Sequence, residues 1–408
     1  MMGDWCQGVL GDILELKRGY DLPQKKRCKG SFPLVSSSGV TDYHAEAMVK
    51  GPGVITGRYG TLGEVFYVDS DFWPLNTTLY VRDFKGNDQR FISYFLRHLD
   101  FSAYSDKAAV PGLNRNHLHQ APIAYPVELE EQVAIADLLS TLDDKIELNC
   151  QTNATLEAMA RALFKDWFVD FGPTRAKAEG RTPYLAPHIW EFFPDALDDE
   201  DKPVGWTIEP LLDHARLISG GTPKTDVTAY WHGPIAWASA KDVSQCSDAF
   251  LIETERSITP RGLEESSTRL IPKNATVVVA RGATTGRYCL FGSEMAMNQT
   301  CYALASLNQW PFWLNCAFGF VVQELVHSAH GSVFDTITTK TIQQARITIA
   351  DQKLIDSFEE TVTLLFNRIH SNLEESRTLA QIRDLLLPKL MSGEIRLREA
   401  ERIVEAVL

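Results

Sequence analysis

The sequence predicts an α+β protein made twice over: two tandem domains of one duplicated fold, each followed by a long α-helix, with the two helices pairing as an antiparallel coiled coil. Three observations carry this prediction. The chain repeats itself at a period slightly above 200 residues. Each repeat reads as short β-branched segments broken by Gly, Pro and Asn turns, with some helix. Each repeat then gives way to a heptad, the mark of a helix that packs along a seam.

The first repeat opens with Trp5, Leu10, Leu16, Gly19 and Pro23, and the second with Trp206, Leu211, Leu217, Gly220 and Pro223. Strand-like Phe32–Ser36 answers Ile235–Ser239. Val54-Ile55-Thr56 leads into Arg58 and the turn Gly60–Gly63, as Val278-Val279-Ala280 leads into Arg281 and Ala283–Gly286. Leu75-Asn76-Thr77-Thr78 answers Met297-Asn298-Gln299-Thr300, and Leu113–Ala121 answers Ile337–Ala345. The offset grows from 201 to 224 along the chain, so the second repeat carries longer loops. Helices are expected at Phe91–Leu99 and Trp310–Val326. A duplication by itself fits any two-domain protein and says nothing of function.

The heptads are more particular. The first runs through Leu139, Leu142, Ile146, Asn149, Asn153, Leu156, Ala160, Leu163 and Trp167, in steps alternating three and four. The second runs through Val362, Leu365, Ile369, Asn372, Ser376, Leu379, Arg383, Leu386 and Leu390, at a constant offset of 223. Strict spacing of this kind marks a coiled-coil seam. A helix from Glu131 to Phe168 would span about 57 Å at 1.5 Å per residue. Its obvious partner is its twin, with Asn149 and Asn372 at equivalent seam positions, where a buried Asn costs stability but fixes register. The alternative is that each helix packs on its own domain. The boundaries follow: 1–125 first domain, 126–171 central helical region, 172–205 a Pro-containing linker, 206–347 second domain, 348–408 C-terminal helical region.

Composition excludes several classes. No run of about 18 apolar residues is free of charge, so no transmembrane helix is expected. The Met1–Leu10 segment carries Asp4 and no apolar stretch, unlike a signal peptide. Seven scattered cysteines without a CxxC pair read as free thiols in a reducing cytoplasm and make zinc improbable. The net charge of −13 seems to oppose nucleic-acid binding. By segment, however, the charge is about +1 over 1–125, −10 over 126–200, −1 over 201–347 and −3 over 348–408. The acidity sits between the two domains, each of which could present a basic face.

This layout resembles the specificity (S) subunits of type I restriction–modification systems. The resemblance rests on Leu163–Phe171 (LFKDWFVDF) at the end of the first helix and Leu386–Ile395 (LLPKLMSGEI) at the end of the second. It rests also on the domain openings Leu10-Gly11-Asp12 through Lys17-Arg18-Gly19, and Ile218-Ser219-Gly220-Gly221-Thr222-Pro223. It covers essentially the whole chain. It implies two target-recognition domains, each reading one half of a split site in double-stranded DNA, with a helical rod between them. It implies two modification (methyltransferase) subunits docked on the helices, methylating adenine with S-adenosylmethionine. Restriction subunits, when added, would cut DNA using ATP and Mg. None of these cofactors is expected on this chain. Two readers on one face of B-DNA sit about 34 Å apart, or near it, a span such a rod can meet.

The DNA-binding candidates are basic or aromatic residues in loops. Lys25, Lys26, Arg27 and Lys29 form the densest basic cluster, suited to phosphate contact, although a solvated loop would look the same. Lys224 lies at the matching place in the second repeat. Arg58 and Arg281 precede the matched turns and could fork onto guanine or brace the turn. Tyr59, Arg115, Arg287 and Lys340 lie in or beside polar turns. Asn76 and Asn298 could read adenine, but what repeats between two domains that read different bases is more often structural. Catalytic signatures are missing: no phosphate loop with a Lys-Ser/Thr pair, no dinucleotide fingerprint at Gly51-Pro52-Gly53, no Asn-Pro-Pro-aromatic motif, no His-Glu-x-x-His. His117 and His119 are two apart and share no helix face, and the carboxylates at 128–147 read as a solvated helix face. The reading is therefore a non-catalytic recognition subunit. A coiled-coil assembly scaffold and a two-domain enzyme with an unrecognised site remain as alternatives.

Overall fold

The structure is a computed structural model that describes residues 5–105, 112–329 and 336–406. In chain order the first domain comprises β1 (Trp5–Val9), α1 (Leu10–Ile13), β2 (Glu15–Arg18), β3 (Phe32–Ser36), β4 (Gly39–His44), β5 (Gly53–Gly57), β6 (Val65–Val68), β7 (Trp73–Pro74), β8 (Thr78–Asp83), α2 (Gln89–His98), α3 (Arg115–His119) and β9 (Pro122–Pro126). The long helix α4 (Leu129–Phe168) and the short helices α5 (Gly172–Ala178) and α6 (Pro187–Trp190) follow. The second domain comprises β10 (Thr207–Pro210), β11 (Ala215–Ser219), β12 (Trp231–Ala238), α7 (Ala240–Gln245), β13 (Phe250–Leu251), β14 (Arg256–Ile258), α8 (Pro260–Glu264), β15 (Thr276–Val279), β16 (Tyr288–Phe291), β17 (Ala296–Met297), β18 (Cys301–Ser306), α9 (Pro311–Ala329), α10 (Thr339–Gln344) and β19 (Arg346–Ile349). The second long helix α11 (Gln352–Met391) and α12 (Leu397–Glu405) close the chain. No helix among the described residues is long and apolar enough to cross a membrane.

The duplication holds in the strand pairing, with one strand, β13, added to the main sheet of the second domain. In each domain the first strand pairs antiparallel with the last, β1 with β9 and β10 with β19. The main sheet has the order β2-β8-β5-β6 in the first domain and β11-β18-β15-β16-β13 in the second. A smaller three-stranded sheet accompanies each, β4-β3-β7 and β14-β12-β17. Two glycine positions show why the pattern recurs. A Cβ on Gly19 would stand 2.2 Å from the Leu75 carbonyl oxygen, and one on Gly220 would stand 2.0 Å from that of Asn298. Gly63 and Gly286, which end the matched turns, both have φ of +90°, a left-handed conformation that costs glycine nothing.

The chain divides into two compact units, residues 1–146 with 377–408, and residues 147–376. In the first unit the opening half of α4 and the closing part of α11 lie side by side. Leu139, Leu142, Leu379, Leu386 and Leu390 share one core with Leu10, Phe91, Phe95 and Leu118 of the first domain, and Ile146 packs against it partly buried. Arg383, a heptad position, reaches Asp143 with a 2.7 Å ion pair. Asp143 also accepts from Tyr94 at 2.7 Å. Burial works to raise the Asp143 carboxyl, but the Arg383 and Tyr94 hydrogen bonds prevail and hold it below the usual carboxylate range. The pairing of 143 with 383 and of Glu131 with Arg396 fixes an antiparallel direction.

In the second unit the antiparallel pairing continues. Asn149 Nδ2 donates to Glu375 Oε2 at 2.8 Å and Ser376 Oγ at 3.2 Å, and Asn372 Nδ2 donates to Asn153 Oδ1 at 2.8 Å. Both asparagines are buried. Ala160, Trp167, Val362 and Ile369 are also buried, in a core that includes Trp206, Trp313 and Phe318 of the second domain. Leu156, Leu163 and Leu365 are only partly buried. The seam expected at two positions per heptad is therefore too narrow. Each helix packs on its twin and on domain side chains, so Phe164, Phe168 and Phe366, off the predicted heptad, are buried as well. The two sequence alternatives, helix on helix and helix on domain, are both realised.

The segment 172–205, expected as a linker, folds onto the second unit instead. α5 starts at Gly172-Pro173, and Thr174, Ala176 and Phe193 are buried. Lys177 donates to the Phe193 carbonyl at 2.5 Å, and Lys202 and Arg175 hold the turn through Asp198 and Asp201. Its prolines read as breakers, but Phe171, Ile189 and Phe192 pack it against the aromatic core.

Candidate nucleic-acid interface

In the first domain, strand β5 runs out at Gly57 and its next two residues form a bracket. The Arg58 amide donates to the Thr77 carbonyl at 2.8 Å, and the Leu113 amide donates to the Arg58 carbonyl at 3.0 Å. Tyr59 bridges Gly112, and the Arg58 guanidinium lies over the Tyr59 ring, 4.5 Å from its centroid. A cavity of about 370 Å³ opens beside this bracket, lined by Arg18, Arg58, Tyr59, Leu79, Gly112, Leu113, Asn114, Arg115 and Asn116. Asn114 caps α3 by accepting from the Asn116 amide at 3.0 Å, which fixes the backbone that carries Arg115. The predicted candidates Arg58, Tyr59 and Arg115 are thus brought together.

Arg18, Asn114 and Asn116 were missed. Arg18 closes β2 opposite Leu79. Its signal was its place just before Gly19, where the backbone approaches the Leu75 segment too closely for a side chain. Asn114 was legible as the residue opening a polar helix.

The hydrogen bonds also correct two sequence equivalences. In the second domain the bracket is made by Ala280, whose amide donates to Thr300 O at 2.8 Å and whose carbonyl accepts from Ile337 N at 2.9 Å. Arg58 therefore corresponds to Ala280, not Arg281, and Arg281, which bridges Thr336, corresponds to Tyr59. Likewise Thr78 N to Leu75 O matches Cys301 N to Asn298 O, so Asn76 corresponds to Gln299, not Asn298. Asn76 bonds Asp21 and Gln299 bonds Thr222, the same brace in both domains.

By the same registers Arg18, opposite Leu79, corresponds to Ser219, opposite Tyr302. Arg115, first after the cap Asn114, corresponds to Thr339, first after the cap Thr338. Asn116 corresponds to Lys340. Arg281 and Lys340, both exposed, stand where Tyr59 and Asn116 line the first-domain cavity.

The remaining candidates lie elsewhere. Lys25 and Lys26 belong to a 3-10 turn, Gln24–Lys26, and Lys25, Lys26 and Lys29 are exposed. Arg27 donates to the Leu22 carbonyl at 3.4 Å, and the Cys28 amide bonds His44 at 3.0 Å. None of these lines the arginine cavity. Lys224 is exposed, and its carbonyl accepts from Trp231 Nε1 at 3.1 Å. Arg287 lines a separate cavity of about 340 Å³ with Glu157, Arg161 and Asp248. His119 is accounted for by the fold. Burial lowers its pKa, and its Nε2 accepts from the Leu16 amide at 2.9 Å.

Two copies of one fold, each followed by a long helix and each presenting different side chains at equivalent positions of the same bracket, define a duplicated recognition protein. The family model described as "Type I restriction modification DNA specificity domain" matches residues 2–158 and 203–375, and the chain belongs to this family. It is 26% identical over 376 residues to the "Type I restriction enzyme MjaIX specificity subunit" of Methanocaldococcus jannaschii, covering 90% of this chain and 82% of that one. It is 28% identical over 312 residues to the "Type I restriction enzyme HindI specificity subunit" of Haemophilus influenzae, covering 65% of this chain and 67% of that one. Among solved structures the type I S subunit from M. genitalium superposes with a TM-score of 0.60 at 16% identity, over 95% of this chain and 96% of that one, which shows a shared fold. The chain is a specificity subunit of the type I restriction–modification kind, a DNA target-recognition protein.

Proposed function

We propose that the chain reads a bipartite double-stranded DNA target, one half per domain, and directs adenine methylation and restriction carried out by partner subunits. Two modification subunits bind it, and restriction subunits join when the complex cuts. S-adenosylmethionine, ATP and Mg belong to those partners, and this chain contributes no catalytic group. One observation carries the reading: equivalent positions around the bracket hold Arg18, Arg58 and Arg115 in the first domain but Ser219, Ala280 and Thr339 in the second. Shared backbone with exchanged side chains is what two readers of different sequences require, since specificity resides in the groups that meet the DNA. Arginine, tyrosine and asparagine there serve contact and hydrogen bonding rather than proton transfer near neutral pH.

The test is to co-express the chain with its modification subunit and map adenine methylation at single-base resolution. Methylation confined to one bipartite motif, and absent without this chain, is the expected result. No motif, or the same motif without the chain, overturns the reading.

A further inference from the structure

The first-domain cavity has an electrostatic peculiarity. Three of its lining residues are guanidinium-bearing and none is acidic. Among the described residues Arg58 and Arg115 have no carboxylate partner, and Arg18 has only the exposed Asp21, 3.9 Å away. Three like charges around one concavity repel each other, and the arrangement is relieved when an anion enters. Nothing in the fold demands these arginines, because the second domain builds the same bracket with Ser219, Ala280 and Thr339, and Ala280 is buried.

Two DNA groups could meet arginine here: the acceptor edge of guanine or the oxyanion of a backbone phosphate. The geometry favours the phosphate. Base edges lie about 8.5 Å deep in the major groove and are read by side chains that project into it. Arg58 does not project: its guanidinium lies on the Tyr59 ring, and its backbone is tied on both sides. Phosphates stand on the outside of the duplex and fit a concave wall.

We infer that the first domain holds one DNA backbone phosphate in the cavity formed by Arg18, Arg58 and Arg115. This rests on the DNA-reading function proposed above and adds a sequence-independent anchor of register to it. The second domain carries its cations at other positions of the same bracket, Arg281 and Lys340.

The experiment measures DNA affinity of the assembled chain–modification complex over a salt series, and maps the methylated motif, for the parent, Arg58→Ala, Arg115→Ala and Arg58→Lys. Removing one of the three arginines should weaken binding roughly tenfold or more. It should also flatten the plot of log affinity against log salt by a part of the roughly 0.9 that one neutralised phosphate contributes. The motif should stay unchanged. Arg58→Lys should restore most of the slope, because lysine serves as a point charge for phosphate. Arg115 is exposed, so its variant tests the inference even if Arg58→Ala fails to fold. Unchanged affinity and slope in Arg115→Ala and Arg58→Ala would overturn it. So would relaxed methylation at one base of one half-site, unrepaired by lysine, which would mean base reading. The proposed function is decided separately by the parent: a parent without any motif sinks that function, while the salt slopes still decide the phosphate site.

Discussion

The two domains solve the same folding problem with different chemistry, and the difference separates what the fold needs from what it is free to change. Each long helix must hold the start of a domain helix. In the first domain a neutral amide does this: Gln132 of α4 accepts from the Asp88 amide at 3.0 Å and donates to Asn87 and to the Pro126 carbonyl, while Asp88 caps α2. In the second domain a carboxylate of α11 does it. Glu359 accepts from the Phe312 and Trp313 amides at 3.2 and 2.7 Å at the start of α9. Burial pushes Glu359 up to about 7, against the pull of those two amides. Packing differs in the same sense. At the heptad offset of 223, aliphatic Ile135 is matched by Phe358, whose ring sits 5.2 to 5.7 Å from those of Phe164, Trp167 and Phe168.

The largest effect should come from the aromatic cluster. Phe358→Ala should cost about 3–5 kcal/mol, more than Ile135→Ala in the other unit, because a larger ring leaves a larger void. Denaturant unfolding of the two variants checks this, and equal losses would remove the distinction drawn between the cores.

Glu359 should make the hold on α9 sensitive to pH, where the Gln132 hold on α2 is not. Its folded pKa, about 7, lies above the ordinary value of 4.5. The folded state therefore binds the proton more tightly than the unfolded one. The stabilisation is full below the unfolded value, is lost as pH rises towards 7, and is gone above it. The change amounts to about 3 kcal/mol at most. Glu359→Gln should abolish it, so wild type should lose stability relative to this variant between pH 5 and 7.5. Thermal unfolding across that range is the measurement; parallel curves would show that Glu359 does not titrate there. Gln132→Ala should be costly but independent of pH over the same range.

The smallest expected effect concerns the polar layer of the paired helices. Asn149→Leu removes hydrogen bonds to Glu375 and Ser376 from a buried position. It should raise the melting temperature by a few degrees while loosening register. Spin labels at the exposed Met159 and Leu364, both in the second unit, should then give a broader distance distribution. A distribution as narrow as the parent's would show that register is set elsewhere.

Much of this was legible in the chain. The repeat, the change to a heptad and both long helices follow from spacing, because periodicity reports directly on which face is buried. The 172–205 segment was not legible as folded. Its prolines are visible locally, whereas the burial of Phe193 and Ala176 depends on a distant core. The equivalence of Arg58 with Arg281 misled because two arginines near a glycine look alike. The turn from Gly282 to Gly286 is one residue longer than that from Gly60 to Gly63, and only the backbone hydrogen bonds reveal that Ala280 holds the place of Arg58. Arg58, Tyr59 and Arg115 could be named from sequence, but their meeting in one cavity with Arg18 required the fold.

The central claim is that each domain reads its own half of the target through side chains carried on a common backbone. The most direct test is to replace residues 207–349, from β10 to β19, with residues 5–126, from β1 to β9, and map adenine methylation in the presence of the partner subunits. The account predicts a new motif in which both halves carry the sequence formerly read by the first domain. A folded chimera whose motif keeps the original second half would contradict it.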